Sequence, residues 1–126
     1  MNPEEIYYQN HNASMCVPLK KTEKDFVFMP EAKESEVMIF WFSDYNLFLK
    51  YINSDFIDEL ADKCNADFLG QYESETLQPH ILPTAIKIVS KAINQKKNAN
   101  IKEYLVKTKE FMEQAISLDT FIQFNF

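Results

Sequence analysis

The run Val37-Met38-Ile39-Phe40-Trp41-Phe42 constrains this chain more than any other feature. Six consecutive apolar residues rich in β-branched and aromatic side chains read as a strand. A strand with one wet face would alternate, and this one does not. It is therefore expected in the centre of a sheet, with helices covering at least one side.

Other strand signals are shorter. Met15 to Leu19 and Asp25 to Met29, on either side of the charged link Lys20 to Lys24, read as a hairpin. Pro18 lacks a backbone donor, which predicts an edge position for the first of these strands. Tyr72 to Thr76 reads as acidic loop or strand edge. The segment Phe121 to Phe126 alternates over Ile122, Phe124 and Phe126, a strand pattern that is expected to dock on the sheet or on a partner.

Helical spacing accounts for most of the remainder. Asn2-Pro3-Glu4-Glu5 can start a short helix, before an irregular polar stretch over Tyr7 to Ser14. Ser43 is the expected N-cap of a helix carrying Tyr45, Phe48, Leu49 and Ile52. Ser54 caps the next, where Phe56, Leu60 and Cys64 form an apolar stripe and Asp55, Asp58, Glu59 and Asp62 the opposite face. Gly70 punctuates the chain as a candidate for positive φ. Pro79 and Pro83 bracket the start of a nearly all-apolar helix running from Thr84 to Ile93. After the polar link Gln95 to Ala99, Asn100 and Glu103 have capping-box spacing. They open a long amphipathic helix over Ile101, Tyr104, Leu105, Phe111, Met112, Ala115 and Ile116.

The 126 residues match one ordinary domain. Eleven Phe and six Tyr supply ample core material, since each large ring buries roughly 150–250 Å². The expected fold is α+β over residues 1–126, a single domain with a small, mainly antiparallel sheet and about four helices.

Composition narrows the chemistry. Gly70 is the one glycine, and no P-loop or dinucleotide fingerprint can be written with one glycine. All thirteen basic residues are lysines, so the arginine fork for phosphate or guanine is missing. An AT-rich genome explains that bias, but the consequence for ligand chemistry stands. A net charge of −6 and a pI near 4.9 point away from nucleic acid and from anionic membranes. No apolar run is long enough to span a bilayer, and the N-terminus lacks the basic and apolar regions of a signal peptide. Cys16 and Cys64 read as reduced thiols in a cytosol.

Catalytic and metal constellations find little support. His11, Cys16, Cys64 and His80 are too widely and irregularly spaced for a zinc site, and no cofactor is expected. Cys64 and His80 could form a nucleophile pair only through the fold, and Cys64 belongs to an apolar stripe, so a core position is expected. Paired acids (Asp58/Asp62, Glu59/Asp62, Glu73/Glu75) would need environments that split their pKa values to perform acid–base work. The chain is read as a non-enzyme.

Charge is unevenly spread. Residues 1–30 are net −1, residues 31–75 carry three Lys against eleven acids for net −8, and residues 76–126 are net +3. A clustered negative field steers a basic partner. The candidate partner-binding residues are Asp55, Asp58, Glu59, Asp62, Asp67, Glu73 and Glu75, with Tyr51 and Tyr72 as aromatic anchors. The lysines from Lys87 to Lys109 are read as balancing charge and forming helix pairs such as Glu103–Lys107.

In general character the chain resembles the small immunity proteins of bacterial toxin-delivery systems. It shares with them the acidic, aromatic-laced middle from Asp55 to Glu75, and it lacks a secretion signal and catalytic motifs. The resemblance implies a cytosolic module that binds and neutralises one basic, nuclease-like toxin domain. Two alternatives remain at this point: an adaptor subunit using its Phe-rich C-terminal strand (Phe121, Phe124, Phe126), and a small enzyme with a carboxylate site.

Overall fold

A computed structural model describes residues 13–21, 26–27, 33, 35–67, 69–70 and 73–126. In chain order the elements are β1 (Ser14–Pro18), β2 (Val37–Trp41), α1 (Tyr45–Ile52), α2 (Asp55–Lys63), β3 (Ser74–Leu77), α3 (Leu82–Ile93), a 3₁₀ helix (Lys96–Ile101), α4 (Lys102–Ser117) and β4 (Ile122–Asn125). The four strands form one sheet in the order β2-β1-β4-β3, antiparallel throughout. The α+β class, with four α-helices among the described residues, is as the sequence predicts.

Strand positions differ from expectation in three ways. β1 pairs with β2, with Met15 opposite Phe40, and not with residues 25–29. Of those residues, Phe26 and Val27 lie in neither helix nor strand and the others lie outside the described residues, as does the expected helix at Asn2. The 18-residue excursion from Leu19 to Glu36 is closed at its base by the Leu19 amide donating to the Glu36 carbonyl at 2.8 Å.

Pro18 lies on an internal strand. The ladder from β1 to β4 covers only Ser14 to Cys16, so Pro18 sits beyond its end and its missing N–H forfeits no bond.

β2 is an edge, not the centre. Its apolar run has two different causes. Met38, Phe40 and Phe42 alternate onto the helix-covered face, where the Phe40 ring lies 5.8 Å from Tyr104 and 6.3 Å from Phe111. Val37, Ile39 and Trp41 take the other face, and Trp41 is 49% exposed.

The central strands are β1 and β4. The tail that reads as a strand is one, and it lies in the core: Phe121, Phe124 and Phe126 are at most 2% exposed. Phe126, Phe42, Phe48 and Tyr51 cluster with ring centroids 4.9–6.4 Å apart, mostly tilted or edge-on. Burying each such ring is worth roughly 1.5–3 kcal/mol over leaving it in water. The three Phe side chains that the adaptor reading takes as an interface are thus packed inside the domain.

Helix ends show how a glycine-poor chain stops its helices. α2 and α4 both end in the six-to-one bond of a Schellman motif, Ala66 N–H to the Ala61 carbonyl and Thr120 N–H to the Ala115 carbonyl. The left-handed residue is Asn65 in one and Asp119 in the other, each with φ 52°. Short polar side chains tolerate that conformation better than other non-glycine residues. Gly70 has no positive φ.

Three capping expectations shift. Asp44, one residue after Ser43, is the N-cap of α1, its carboxylate accepting from the Leu47 amide at 3.0 Å. Ser54 sits at the cap of α2 but its hydroxyl donates back to the Lys50 carbonyl at 2.7 Å. Asn100 and Glu103 form no capping box, because the 3₁₀ helix runs directly into α4. Pro83 enters α3 in its first turn as predicted.

Candidate protein-binding face

α2 forms the centre of the acidic region. Phe56, Ile57 and Leu60 bury one side against the core, and Asp55, Asp58 and Asp62 face solvent. Asp55 and Asp58 in the first turn suit the positive end of the helix dipole, and Lys63 suits its last turn.

The stripe nearest α3 is already neutralised. Lys97 bonds the Asp55 carboxylate at 2.5 Å and holds that carboxyl below its ordinary value. Glu59 is shared between Lys63 at 3.0 Å and Lys91 at 3.9 Å. These four charges from two helices and the following turn (Asp55, Glu59, Lys91 and Lys97) rim a cleft of about 150 Å³ over Phe56 and Ile88. Of the lysines read from the sequence as balancing charge, Lys91 and Lys97 meet acids of the middle region, and the expected Glu103–Lys107 pair is replaced. Lys107 pairs with Glu110 at 3.2 Å, not with Glu103, and its Nζ lies 5.9 Å from the centre of the Phe40 ring.

The outer stripe is different. Asp58 and Asp62 stand one turn apart with like charge, and no ion pair reaches either among the described residues. Asp67 is exposed just beyond the helix. Glu73 and Glu75 belong to a separate place, the β3 edge. There the Glu75 carboxylate accepts from the Thr76 amide at 3.0 Å.

The proposed aromatic anchors need correction. Tyr51 is 0% exposed, with its phenol 2.7 Å from the Thr108 hydroxyl and its ring within 5.1 Å of Phe56. Burial raises its pKa well above the ordinary phenol value. It is a core residue, placed there because its helical spacing with Phe48 puts both rings on the inner face of α1. Tyr72 lies outside the described residues. Among the described residues the half-exposed aromatics are Trp41, Phe26 and Tyr45. Trp41 was legible in one respect: it shares an alternating face with Val37 and Ile39 at the outer end of the run.

Cys64 occupies the core as expected, and Cys16 is fully buried. Burial raises both thiols, pushing Cys16 up to about 11 despite a hydrogen bond with Asn125 that opposes the shift. Neither is a poised nucleophile. Among the described residues no three of His, Cys, Asp and Glu gather as a metal-holding group, and no helix is long and apolar enough to cross a membrane.

Set against known protein families, curated proteins and solved structures, the chain matches none.

Proposed function

We propose that this chain is a protein-binding module that holds a basic partner on the outer stripe of α2, most concretely an immunity protein that neutralises a basic toxin domain in the cytosol. One observation carries the reading: Asp55 and Glu59 are matched by lysines, while Asp58, Asp62 and Asp67 beside them meet none among the described residues. Like charges at i,i+4 cost a helix roughly 0.2–0.5 kcal/mol, a cost that a partner's cations would relieve. A partner's lysines and arginines would fill the missing half of each pair, steer encounter and cover the partner's own nucleic-acid site.

The test is binding to a basic toxin domain, taken from a gene adjacent to this one where that gene encodes one, measured at low and high salt. The reading expects association to weaken steeply with salt and to be lost in Asp58→Lys/Asp62→Lys. Binding that ignores both salt and charge reversal overturns it.

A further inference from the structure

The two edges of the sheet are built differently, and the difference points to a second contact surface. At the β3 edge the outward residues are Ser74 and Thr76, because Glu73, Glu75 and Leu77 direct their backbone groups to β4. The outward Thr76 amide is occupied by the neighbouring Glu75 carboxylate. A short, charged, self-capped strand is how proteins blunt an edge against pairing.

The β2 edge shows no such protection among the described residues. The Phe42 amide bonds the Ala13 carbonyl and the Leu19 amide the Glu36 carbonyl, which fixes the alternation. Met38 and Phe40 face β1, and Val37, Ile39 and Trp41 face outward. The Val37 amide is taken by the Lys33 carbonyl at 3.2 Å. No acceptor or donor among the described residues meets the outward N–H and C=O of Ile39 and Trp41. The same residues are partly and half exposed apolar side chains, with Trp41 at 49%.

We propose that the β2 edge is a strand-addition site for an extended segment of a partner protein, apolar at its centre and basic at both ends. Main-chain bonds to Ile39 and Trp41 supply affinity, and stacking on Trp41 adds to it. Charge selects the occupant. Exposed Glu36 precedes β2 and exposed Asp44 follows it, so both ends of the added strand meet a carboxylate. A second copy of this chain fits badly: antiparallel pairing about Ile39 brings Glu36 of each copy toward Asp44 of the other, between molecules that each carry −6. The proposal rests on the reading above only in the sign of the partner's charge.

Trp41 is the sole tryptophan, so its fluorescence reports this edge alone. The probe is a synthetic nine-residue peptide with alternating valine and threonine between lysine pairs, compared with the same peptide ending in glutamates. The lysine peptide should shift Trp41 emission saturably at low salt and slow amide exchange at Ile39 and Trp41. The glutamate peptide should do neither. Ile39→Pro removes an outward donor at an edge position where proline is tolerated, and should weaken binding about tenfold. Methylating alternate peptide nitrogens on the intact protein tests the same bonds if that variant fails to fold. Equal binding of both peptides, binding that survives N-methylation, or no shift at millimolar lysine peptide each overturns the proposal. A toxin whose binding is lost in Asp58→Lys/Asp62→Lys but unchanged in folded Ile39→Pro sinks this inference and leaves the α2 reading standing. The reverse pattern does the opposite.

Discussion

The phenol of Tyr51 and the hydroxyl of Thr108 meet at 2.7 Å in a fully buried site, and the direction of their bond is fixed by a third group. Thr108 spends its proton on the Tyr104 carbonyl at 2.7 Å, so Tyr51 must donate. Thr108→Val should therefore strand a buried O–H and cost about 1–3 kcal/mol. Tyr51→Phe leaves only an acceptor short and should cost about 1 kcal/mol. Urea midpoints of the two variants check the asymmetry.

Alkaline pH should destabilise the fold through Cys16. Its thiol has an ordinary value of 9.0 and is pushed up to about 11 by burial, so the native state keeps a proton that the unfolded chain releases. Stability is full below about pH 9 and falls as pH rises toward about 11, with a limiting slope near 1.4 kcal/mol per pH unit. Tyr51 shifts the same way and extends the loss above pH 10. Unfolding free energies from pH 8 to 11 should decline less in Cys16→Ala than in the parent.

Gln123 fastens the excursion between β1 and β2 to the sheet. Its buried amide accepts from the Val27 N–H at 2.7 Å and donates to the Val27 carbonyl at 2.8 Å and to Asn125 at 2.8 Å. Gln123→Ala should cost about 2–4 kcal/mol, several hydrogen bonds' worth, and should speed exchange of the Val27 amide.

Asp62→Lys should separate binding from stability. It turns the Asp58–Asp62 repulsion into an i,i+4 attraction, so thermal unfolding should move up by the equivalent of about 0.5–1 kcal/mol. Affinity for a basic partner should drop in the same variant. A fall in both would mean the stripe is structural.

Asn65→Gly should stabilise the chain by up to about 1 kcal/mol. Glycine enters the left-handed region at φ 52° without the steric strain of a side chain. Asp119, at the same φ, is a poorer target because its carboxylate pairs with Lys21 at 2.7 Å. Denaturant unfolding of both variants should rank them in that order.

Element types were legible in the sequence because each follows from a period: helices from stripes such as Phe56, Leu60 and Cys64, and the last strand from Ile122, Phe124 and Phe126. Order within the sheet was not. Val37 to Phe42 looks central because every residue is apolar, yet an edge strand can bury one face under helices and leave Trp41 half exposed on the other. Pro18 looks peripheral because it lacks a donor, yet the neighbouring ladder ends before reaching it. For the candidate site, the acids of α2 were found by composition alone. Their division into matched and unmatched stripes depends on Lys91 and Lys97, which lie about 30 to 40 positions along the chain. Tyr51 was misread because a tyrosine among acids resembles an anchor until its helical face is known.

The placement of β4 between β1 and β3 also sets an order of events during synthesis. β1 and β2 can pair once Trp41 has left the ribosome, but β3 touches the sheet only through β4, and β4 is the last of these four strands in chain order. Until residues 122–125 emerge, β1 keeps an unpaired inner edge, β3 has no neighbour, and the cluster around Phe42 and Tyr51 lacks the Phe126 ring. Closing contacts that span more than a hundred residues, such as Ser14 opposite Asn125, slows folding and lengthens the time those edges stay open to other chains. The nascent sheet is thus most exposed to mispairing just before its fourth strand slots into place.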